Sequence, residues 1–500
     1  MNEAKASEMK TNGQQKKTSS RRKLMFLGLA ILLGIITLFI APLTGLPVAG
    51  QRSLAILVFI VVTWATEAVP YPVSALMLIV LMTWAGSADP KLSLKSAFTK
   101  SLTGFAGTVP AGVLAATAFA AVVKSSGLSE RIIYKIMAGF AGTSGKAKVD
   151  RILGAMFIAE VPLSFLAPTA TGRTALYVSF AEGLVRPFNF TKELIGSKVN
   201  PFQKAVYMAA GMMPSTMGAA FLTGAEATLL AGRLIEEGTH APQYWINTAE
   251  YLLLPALIML AFQWFTLKKM FPSSQETVSV DFIHEQLGKL GAMRYEEKYV
   301  LATLIAAVML WVTDKIHHIP AEIVLIMVAV ALFLPGVGPG NWKQDSKSIA
   351  WGSIMVIAAA TSFAALLQAT GVINMIAHWV GGLGVTSFVG VMLLVGGITL
   401  VLRLGVASVT AAAALFIPLA IMIGTHAGFS QGQLVALGWI TYVFCRAGYF
   451  LPSQTASLMM TFDYGYFGQN DLFKVGLRLT LATAVIYGLW ASLVIPALVK

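Results

Sequence analysis

Trp64-Ala65-Thr66-Glu67 near the start of the chain recurs past its middle as Trp311-Val312-Thr313-Asp314. Both copies have the pattern Trp-x-Thr-acid, and each is followed by a proline and an apolar run. Further pairs of short stretches occur in the same order at nearly the same spacing: Ser126-Gly127-Leu128 with Thr370-Gly371-Val372, Thr169-Ala170-Thr171 with Ser408-Val409-Thr410, and the stretch at Thr223 with the stretch at Thr455. The sequence therefore predicts a duplicated unit whose two copies differ slightly in length.

The composition of the chain places this duplicated unit in a membrane. Hydrophobic residues make up 56% and charged residues 12% of the 500 positions, whereas about 25% of the residues of soluble domains are charged. A helix that spans a bilayer needs about 20 apolar residues. Stretches of this kind begin near Leu24, Leu54, Val73, Val109, Ala205, Leu252, Val300, Ile323, Ile349, Leu434 and Leu479. We predict an all-α polytopic membrane protein with about 11 transmembrane helices.

Two other apolar stretches, 152–185 and 388–424, are interrupted in the middle by Pro, Gly, Ser and Thr. Backbone that leaves helical geometry at membrane depth is tolerated only where it is buried in protein or faces a cavity. We therefore predict a re-entrant hairpin in each stretch. Two inverted repeats of this kind are typical of secondary transporters, whose binding site lies between the repeats near the bilayer midplane.

Charge and polarity predict the boundaries and the topology. A basic tail covers 1–23, the first transmembrane repeat 24–271, a polar linker 272–297 and the second repeat 298–500. The Lys and Arg residues of the tail place the N-terminus and the linker in the cytoplasm of a multi-pass cell-membrane protein. An odd number of spans then places Lys500 outside the cytoplasm. The net charge of +13 is a topology signal, so no nucleic-acid partner is predicted.

The sequence lacks the motifs of an enzyme. Its six histidines have no spacing that would place a zinc site on one helix face. It contains no nucleophile elbow and no metalloprotease motif, so we predict neither catalysis nor a cofactor. A single cysteine, Cys445, excludes a disulfide within the chain.

The polar residues of the two hairpins are the candidate substrate ligands. A break at Pro168 would end one half-helix and start another, whose free N–H groups and neighbouring hydroxyls bind an anion. A charge at the membrane centre costs roughly 2.5–3.5 kcal/mol and marks function, which favours an arginine as counter-charge. The alternative is a packing face of small residues. The predicted substrate ligands are Thr169, Thr171, Arg173, Arg403, Ser408 and Thr410.

A further interrupted span follows each hairpin, at 222–227 and at 451–457. Backbone carbonyls and hydroxyls at such breaks are hard oxygen ligands that suit Na⁺ beside a substrate site. A helix kink without a ligand is the alternative for each break. The predicted cation ligands are Thr171, Gly172, Thr223, Glu226, Thr410 and Thr455.

The run Trp64–Pro70, followed by Pro72-Val73-Ser74-Ala75-Leu76, resembles the Thr-Glu-Ala-x-Pro signature of the divalent anion:sodium symporter family. That family includes sodium-coupled dicarboxylate, citrate and sulfate carriers. Pro168–Arg173 looks like the first hairpin tip of the bacterial citrate and oxoglutarate/malate carriers, and Ser408–Thr410 is similar to the second tip. The resemblance implies Na⁺-coupled symport of a small divalent anion, a di- or tricarboxylate or sulfate, by a homodimer in a lipid bilayer.

The chain departs from the family pattern at three positions. Ala170 and Val409 stand where the family has tip asparagines that reach the substrate carboxylates. Glu226 stands where an uncharged ligand is usual, and a buried Glu can bind a proton in place of a cation. A proton-coupled carrier that uses Glu226 and a dicarboxylate exchanger therefore remain open. A non-transporting scaffold or receptor is a further alternative, against which the intramembrane Arg173, Arg403 and Glu226 argue.

Overall fold

The computed structural model describes residues 2–66, 68–142, 146–166, 169–185, 199–273, 277–382, 384–404 and 408–499. Glu67, Pro168 and Lys500, on which parts of the predicted motifs and topology fall, lie outside the described residues. Helices dominate the described part of the chain. They have the following bounds: α1 (Asn2–Ile40), α2 (Val48–Thr66), α3 (Tyr71–Gly86), α4 (Leu94–Ser101), α5 (Thr108–Ser126), α6 (Leu128–Ala141), α7 (Val149–Leu166), α8 (Ala170–Val185), α9 (Pro201–Met217), α10 (Glu226–Thr239), α11 (Trp245–Met270), α12 (Asp281–Leu290), α13 (Tyr295–Val312), α14 (Asp314–His317), α15 (Ala321–Leu332), α16 (Trp342–Asp345), α17 (Trp351–Ala369), α18 (Val372–Gly381), α19 (Phe388–Arg403), α20 (Val409–His426), α21 (Gln431–Arg446), α22 (Ala456–Phe462), α23 (Gln469–Leu493) and α24 (Ile495–Leu498).

The repeated tryptophan has the same structural task in both halves. Trp64 Nε1 donates to Ser74 Oγ over 2.9 Å, and Trp311 Nε1 donates to the Ala321 carbonyl over 3.4 Å. Both tryptophan side chains are 1% exposed. Each indole N–H therefore connects the end of one helix to the start of the helix ten residues later, across the acidic residue and the proline of the motif.

Six helical segments within the described residues are long and apolar enough to cross a membrane: 21–40, 108–126, 245–270, 351–369, 409–426 and 469–498. Shorter apolar helices cover 48–64, 71–86, 321–332 and 388–403. The predicted number of about 11 spans is not established by these segments and stays a prediction.

Both predicted hairpins are helix–break–helix units. In the first, α7 ends at Leu166 and α8 begins at Ala170; in the second, α19 ends at Arg403 and α20 begins at Val409. α8 packs against α9, and α20 packs against α10 and α21. This packing places both tips beside the interrupted spans, where α10 and α22 begin.

The linker that was predicted at 272–297 contains a strand and a helix. The strand β2 (Thr277–Ser279) pairs antiparallel with β1 (Lys146–Lys148), which precedes the first hairpin directly. α12 packs against α6. Tyr295 already belongs to α13, because Glu297 closes the first turn of that helix by accepting from the Arg294 backbone N–H.

Candidate functional site

A polar cavity of about 480 Å³ lies between the two hairpin tips. Residues from both halves of the chain line it. Most of its polar groups are hydroxyls, together with one carboxylate and one guanidinium. The polar residues of the lining are Tyr71, Thr169, Thr171, Ser215, Glu226, Ser353, Ser408, Thr410, Arg446, Ser453, Thr455 and Ser457.

Several helices begin at this cavity. The starts of α8, α10 and α20, at Ala170, Glu226 and Val409, all belong to the lining, as does Ala350 just before α17. The N-terminus of a helix carries free N–H groups and about half a positive charge. Helix N-termini gathered around one cavity make it a favourable place for an anion.

Hydroxyl side chains cap three helix starts in the lining. Thr169 Oγ1 accepts from the Gly172 N–H over 3.3 Å, and Ser408 Oγ accepts from the Ala411 N–H over 3.2 Å. Thr455 Oγ1 accepts from the Leu458 N–H over 3.2 Å. Each of these oxygens uses a lone pair for the cap and keeps its O–H as a donor. The tip hydroxyls can therefore hold a helix start and donate to an anion at once.

Arg446, the last residue of α21, supplies the positive charge of the lining. Its Nε donates to the Ser215 carbonyl over 2.7 Å, and its Nη1 donates to the Tyr442 hydroxyl over 3.0 Å. The residue is 5% exposed. None of the ion pairs between described residues includes Arg446. A buried guanidinium that forms no direct ion pair is available to bind an anionic group.

The protein fixes the position of this guanidinium. The Tyr442 hydroxyl bonds Thr228 Oγ1 at 2.6 Å, and Thr228 Oγ1 in turn donates to the Gly218 carbonyl over 2.7 Å. A Cβ atom at Gly218 would meet Arg446 Nη2. Glycine is therefore required at position 218 for the guanidinium to stay where it is.

Glu226, the first residue of α10, supplies the negative charge of the lining. Its Oε1 accepts from Ser353 Oγ over 3.0 Å. Ser353 belongs to α17 in the other half of the chain, so this hydrogen bond crosses the cavity wall between the halves. Glu226 and Arg446 line the same cavity but do not form an ion pair with each other.

The structure places the two predicted arginines away from the cavity. Arg173 is fully buried and pairs with Glu160, with 2.8 Å between Arg173 Nε and Glu160 Oε1. Its Nη2 donates to the Pro214 carbonyl over 2.8 Å, and its Nη1 donates to the Gly224 carbonyl over 3.1 Å. Its charge is already compensated, and it connects the first hairpin to the interrupted span.

Arg403 has the corresponding task in the second half. It is fully buried, its Nε donates to the Cys445 carbonyl over 2.7 Å, and its Nη2 donates to the Gln454 carbonyl over 2.6 Å. In both halves the arginine reaches a carbonyl of the break 51 residues further along the chain. The two arginines are on opposite sides of their hairpin tips in sequence, yet they bind equivalent backbone groups.

Of the other predicted ligands, six line the cavity: Thr169, Thr171, Glu226, Ser408, Thr410 and Thr455. Gly172 and Thr223 do not belong to the lining. Thr223 Oγ1 accepts from Trp245 Nε1 over 3.0 Å, which connects the break to the start of α11.

Sequence reasoning missed Tyr71, Ser215, Ser353 and Arg446 as lining residues, whereas Ser453 and Ser457 belong to the predicted break at 451–457 without being named as ligands. The free-energy cost of placing a charge in the membrane favours a functional role for Arg173, and it applies equally to Arg446, which ends an apolar span. That signal could have identified it. Ser215 and Ser353 carry no comparable signal, because only the tertiary fold brings them to the hairpin tips.

Two solved structures have a similar fold. The YdaH transporter of Alcanivorax borkumensis has a TM-score of 0.53 at 14% identity, with 84% of this chain and 97% of that chain covered. MtrF of Neisseria gonorrhoeae, described among antimetabolite efflux pumps, has a TM-score of 0.53 at 14% identity, with 86% and 96% covered. The architecture is thus a mostly helical membrane-transporter fold.

Curated relatives extend over nearly the whole chain. A membrane protein of Cupriavidus necator is 26% identical over 477 residues, which cover 91% of this chain and 89% of that protein. The sodium-dependent dicarboxylate transporter SdcS of Staphylococcus saprophyticus is 22% identical over 515 residues, covering 97% and 94%. The sequence profile of the sodium:sulfate symporter transmembrane region matches residues 21–499. Members of that family are transporters and not enzymes, which agrees with the sequence prediction. This chain is a membrane-embedded transporter that belongs to the sodium:sulfate symporter family.

Proposed function

We propose that the protein is a secondary active transporter that carries a small divalent anion, a di- or tricarboxylate or sulfate, together with Na⁺. The observation that carries the proposal is Arg446, a buried guanidinium that faces the cavity and forms no ion pair with a described carboxylate. An anionic group of the substrate would bind Arg446 and the O–H groups of Thr171, Ser408 and Thr410. The N-termini of α8 and α20 would add to the attraction.

The coupling ion would bind beside the anion. Thr171, Thr410 and Thr455 offer hydroxyl oxygens in the lining, and Glu226 offers a carboxylate. Hard oxygen ligands at helix breaks suit Na⁺. Support also comes from the name of the relative SdcS, a sodium-dependent dicarboxylate transporter. Gly172 and Thr223, outside the lining, are the less favoured members of the predicted set.

Alternating access would follow from the presence of a hairpin and an interrupted span in each half of the chain. We infer that the halves form two inverted repeats, with the N-terminus in the cytoplasm and Lys500 on the other side. The cavity between the hairpin tips would then open to each side in turn as one group of helices moves against the other. The family resemblance leads us to expect a homodimer as the working assembly.

A proton-coupled carrier is the second candidate, because Glu226 itself lines the cavity. A carboxylate that carries the proton must change its charge during the cycle, whereas one that ligates Na⁺ stays ionised. An exchanger of dicarboxylates is the third form of transport, in which a second substrate molecule replaces the coupling ion.

Uptake into proteoliposomes separates these candidates. An inward Na⁺ gradient should drive accumulation of a labelled dicarboxylate, while an inward proton gradient without Na⁺ should not. If the proton gradient alone drives accumulation, and Glu226→Gln abolishes it, the coupling ion is the proton and not Na⁺. Uptake that needs only internal substrate would establish exchange. No uptake of any divalent anion under any of these conditions would overturn the proposal and favour a scaffold or receptor.

A further inference from the structure

The central cavity holds one acidic and one basic side chain of opposite sign. Glu226 and Arg446 both line it, and neither is neutralised by an ion pair with another described residue. Each is fixed by hydrogen bonds to the protein, Glu226 by Ser353 and Arg446 by Ser215 and Tyr442. Two charges that are held in place without partners of their own define a ligand with complementary charges.

The carboxylate of Glu226 is unfavourable for a ligand with negative charge only. In a cavity of about 480 Å³, every group of a bound ligand lies within a few ångströms of the wall. A plain dianion would therefore place a second carboxylate near Glu226, and like charges at such distances repel strongly where water is excluded. Arg446 attracts Glu226 as well as the anionic groups of the ligand, so its single positive charge does not neutralise Glu226 and two ligand carboxylates together.

The hairpin tips offer no amide side chain that could bind a second carboxylate of the ligand and offset its repulsion by Glu226. Ala170 and Val409 occupy the tip positions in the lining, and both side chains are apolar. All remaining polar side chains of the lining are hydroxyls, which can donate to an anion and can also accept from a cation. Discrimination between ligands therefore depends on the two charged residues.

We propose that the substrate is a dicarboxylate that also carries an ammonium group, with the ammonium on Glu226 and a carboxylate on Arg446. This inference rests on the proposed transport function and changes its substrate from a divalent anion to a dicarboxylate whose ammonium group lowers the net charge to about −1. Ser353 keeps one oxygen of Glu226 occupied, so the other oxygen accepts from the ammonium. The hydroxyls of Thr171, Thr410 and Thr455 remain as ligands for the coupling ion.

Three four-carbon dicarboxylates test the inference, because they differ only in the group at the second carbon. Succinate carries hydrogen there, malate a hydroxyl and aspartate an ammonium. Charge-assisted hydrogen bonds of this type change affinity by about 10- to 100-fold. In proteoliposomes that contain the full-length protein, aspartate should compete for transport about 10- to 100-fold better than succinate, with malate between them.

The variant Glu226→Gln assigns the preference to this residue. It keeps the shape of the side chain and removes its charge, so the ratio of aspartate affinity to succinate affinity should fall to about 1, whatever the change in overall uptake. Glu237→Gln is the matched control, since Glu237 lies on the same helix, is about half exposed and pairs with Arg233 outside the cavity. It should leave the preference unchanged.

The outcomes separate the inference from the function on which it rests. Equal transport of the three compounds, or a preference for succinate in the wild type, would overturn the inference and leave the transport function intact. An aspartate preference that survives in Glu226→Gln would also overturn it. If Glu226 is a sodium ligand instead, the variant should raise the Na⁺ requirement equally for all three compounds and keep their order. Transport of none of them would contradict both.

Discussion

Three arginines are buried in or beside apolar helices, and their partners decide what each one does. Arg173 pairs with Glu160 and Arg403 binds backbone carbonyls, while Arg446 faces the cavity. A charge within a membrane is costly and is retained for structure or for function. These partners support a structural role for Arg173 and Arg403 and the proposed anion-binding role of Arg446.

Arg446→Lys should weaken anion binding nearly as much as Arg446→Ala. An ammonium cannot reproduce the planar fork of the guanidinium, and loss of a charge-assisted hydrogen bond costs about 1.5–3 kcal/mol. The ligand-induced rise in melting temperature with a transported dicarboxylate should fall accordingly. Arg478→Lys, at an exposed position of α23, is the control. Wild-type affinity in Arg446→Ala would remove this residue from the site.

Arg173→Met should reduce stability instead of affinity. It leaves Glu160 buried without its partner, a change that costs about 3–5 kcal/mol, whereas replacing both charges by apolar residues is often close to neutral. The double variant Glu160→Met/Arg173→Met should therefore melt at a higher temperature than Arg173→Met in the same detergent. If Arg173→Met keeps the wild-type melting temperature but binds the anion more weakly, Arg173 belongs to the substrate site.

The sequence predicted part of this site because some of its residues lie in local motifs. Thr169, Thr171, Ser408 and Thr410 flank helix breaks, and a break with neighbouring hydroxyls is visible in the sequence alone. The task of an arginine depends on its spatial partners instead. Arg173 meets Gly224 only through the fold, so the sequence could not separate a structural arginine from a binding one.

At the level of elements, the linker is attached to the first half by one buried ion pair. Arg131 on α6 binds Glu297 through two N–H groups at 2.7 and 2.9 Å. The same guanidinium donates to the Gly291 carbonyl over 2.9 Å and to the Leu290 carbonyl over 2.9 Å. Gly291 has a φ of 57°, a conformation that glycine adopts without strain. The end of α12 is therefore held against α6.

This contact predicts a pH dependence. Burial raises the pKa of Glu297, but the hydrogen bonds from Arg131 and from the Arg294 backbone outweigh burial and hold the pKa below its ordinary value. A lowered pKa stabilises the fold above the unfolded-state pKa, and the contribution is lost as the pH falls through the folded-state pKa. Glu297→Gln should lower the melting temperature at neutral pH, and the difference from wild type should shrink below about pH 4. A difference that is independent of pH would contradict the ionised pair.

The helix breaks of the two hairpins are visible in the sequence, whereas the inverted repeats and the number of spans stay predictions. The repeated Trp-x-Thr-acid motif and the two broken hairpins gave the correct positions of the helix breaks. The helices α9 and α10 are separated by the break between Met217 and Glu226, so they do not form one continuous apolar run. The number of spans counted from hydropathy therefore differs from the number counted from continuous helices.

For the whole molecule, the basic tail and an odd number of spans predict that the two termini lie on opposite sides of the membrane. A reporter at residue 1 should be accessible only from the cytoplasm, and a reporter after Lys500 only from outside. Protease protection in inverted and right-side-out vesicles measures both. Two cytoplasmic reporters would show that the number of spans is even.

The central claim is that the anion binds in the cavity between the hairpin tips, and substrate protection of one cysteine tests it most directly. Cys445 is the single cysteine of the chain and is fully buried, so a Cys445→Ala background allows one labelled thiol. Ala456→Cys places that thiol in the lining, and Ser348→Cys, at an exposed position outside it, is the control. A transported dicarboxylate at saturation should slow maleimide labelling at position 456 and leave position 348 unchanged. If an anion that the same variant transports leaves the rate of maleimide labelling at position 456 unchanged, the account is contradicted.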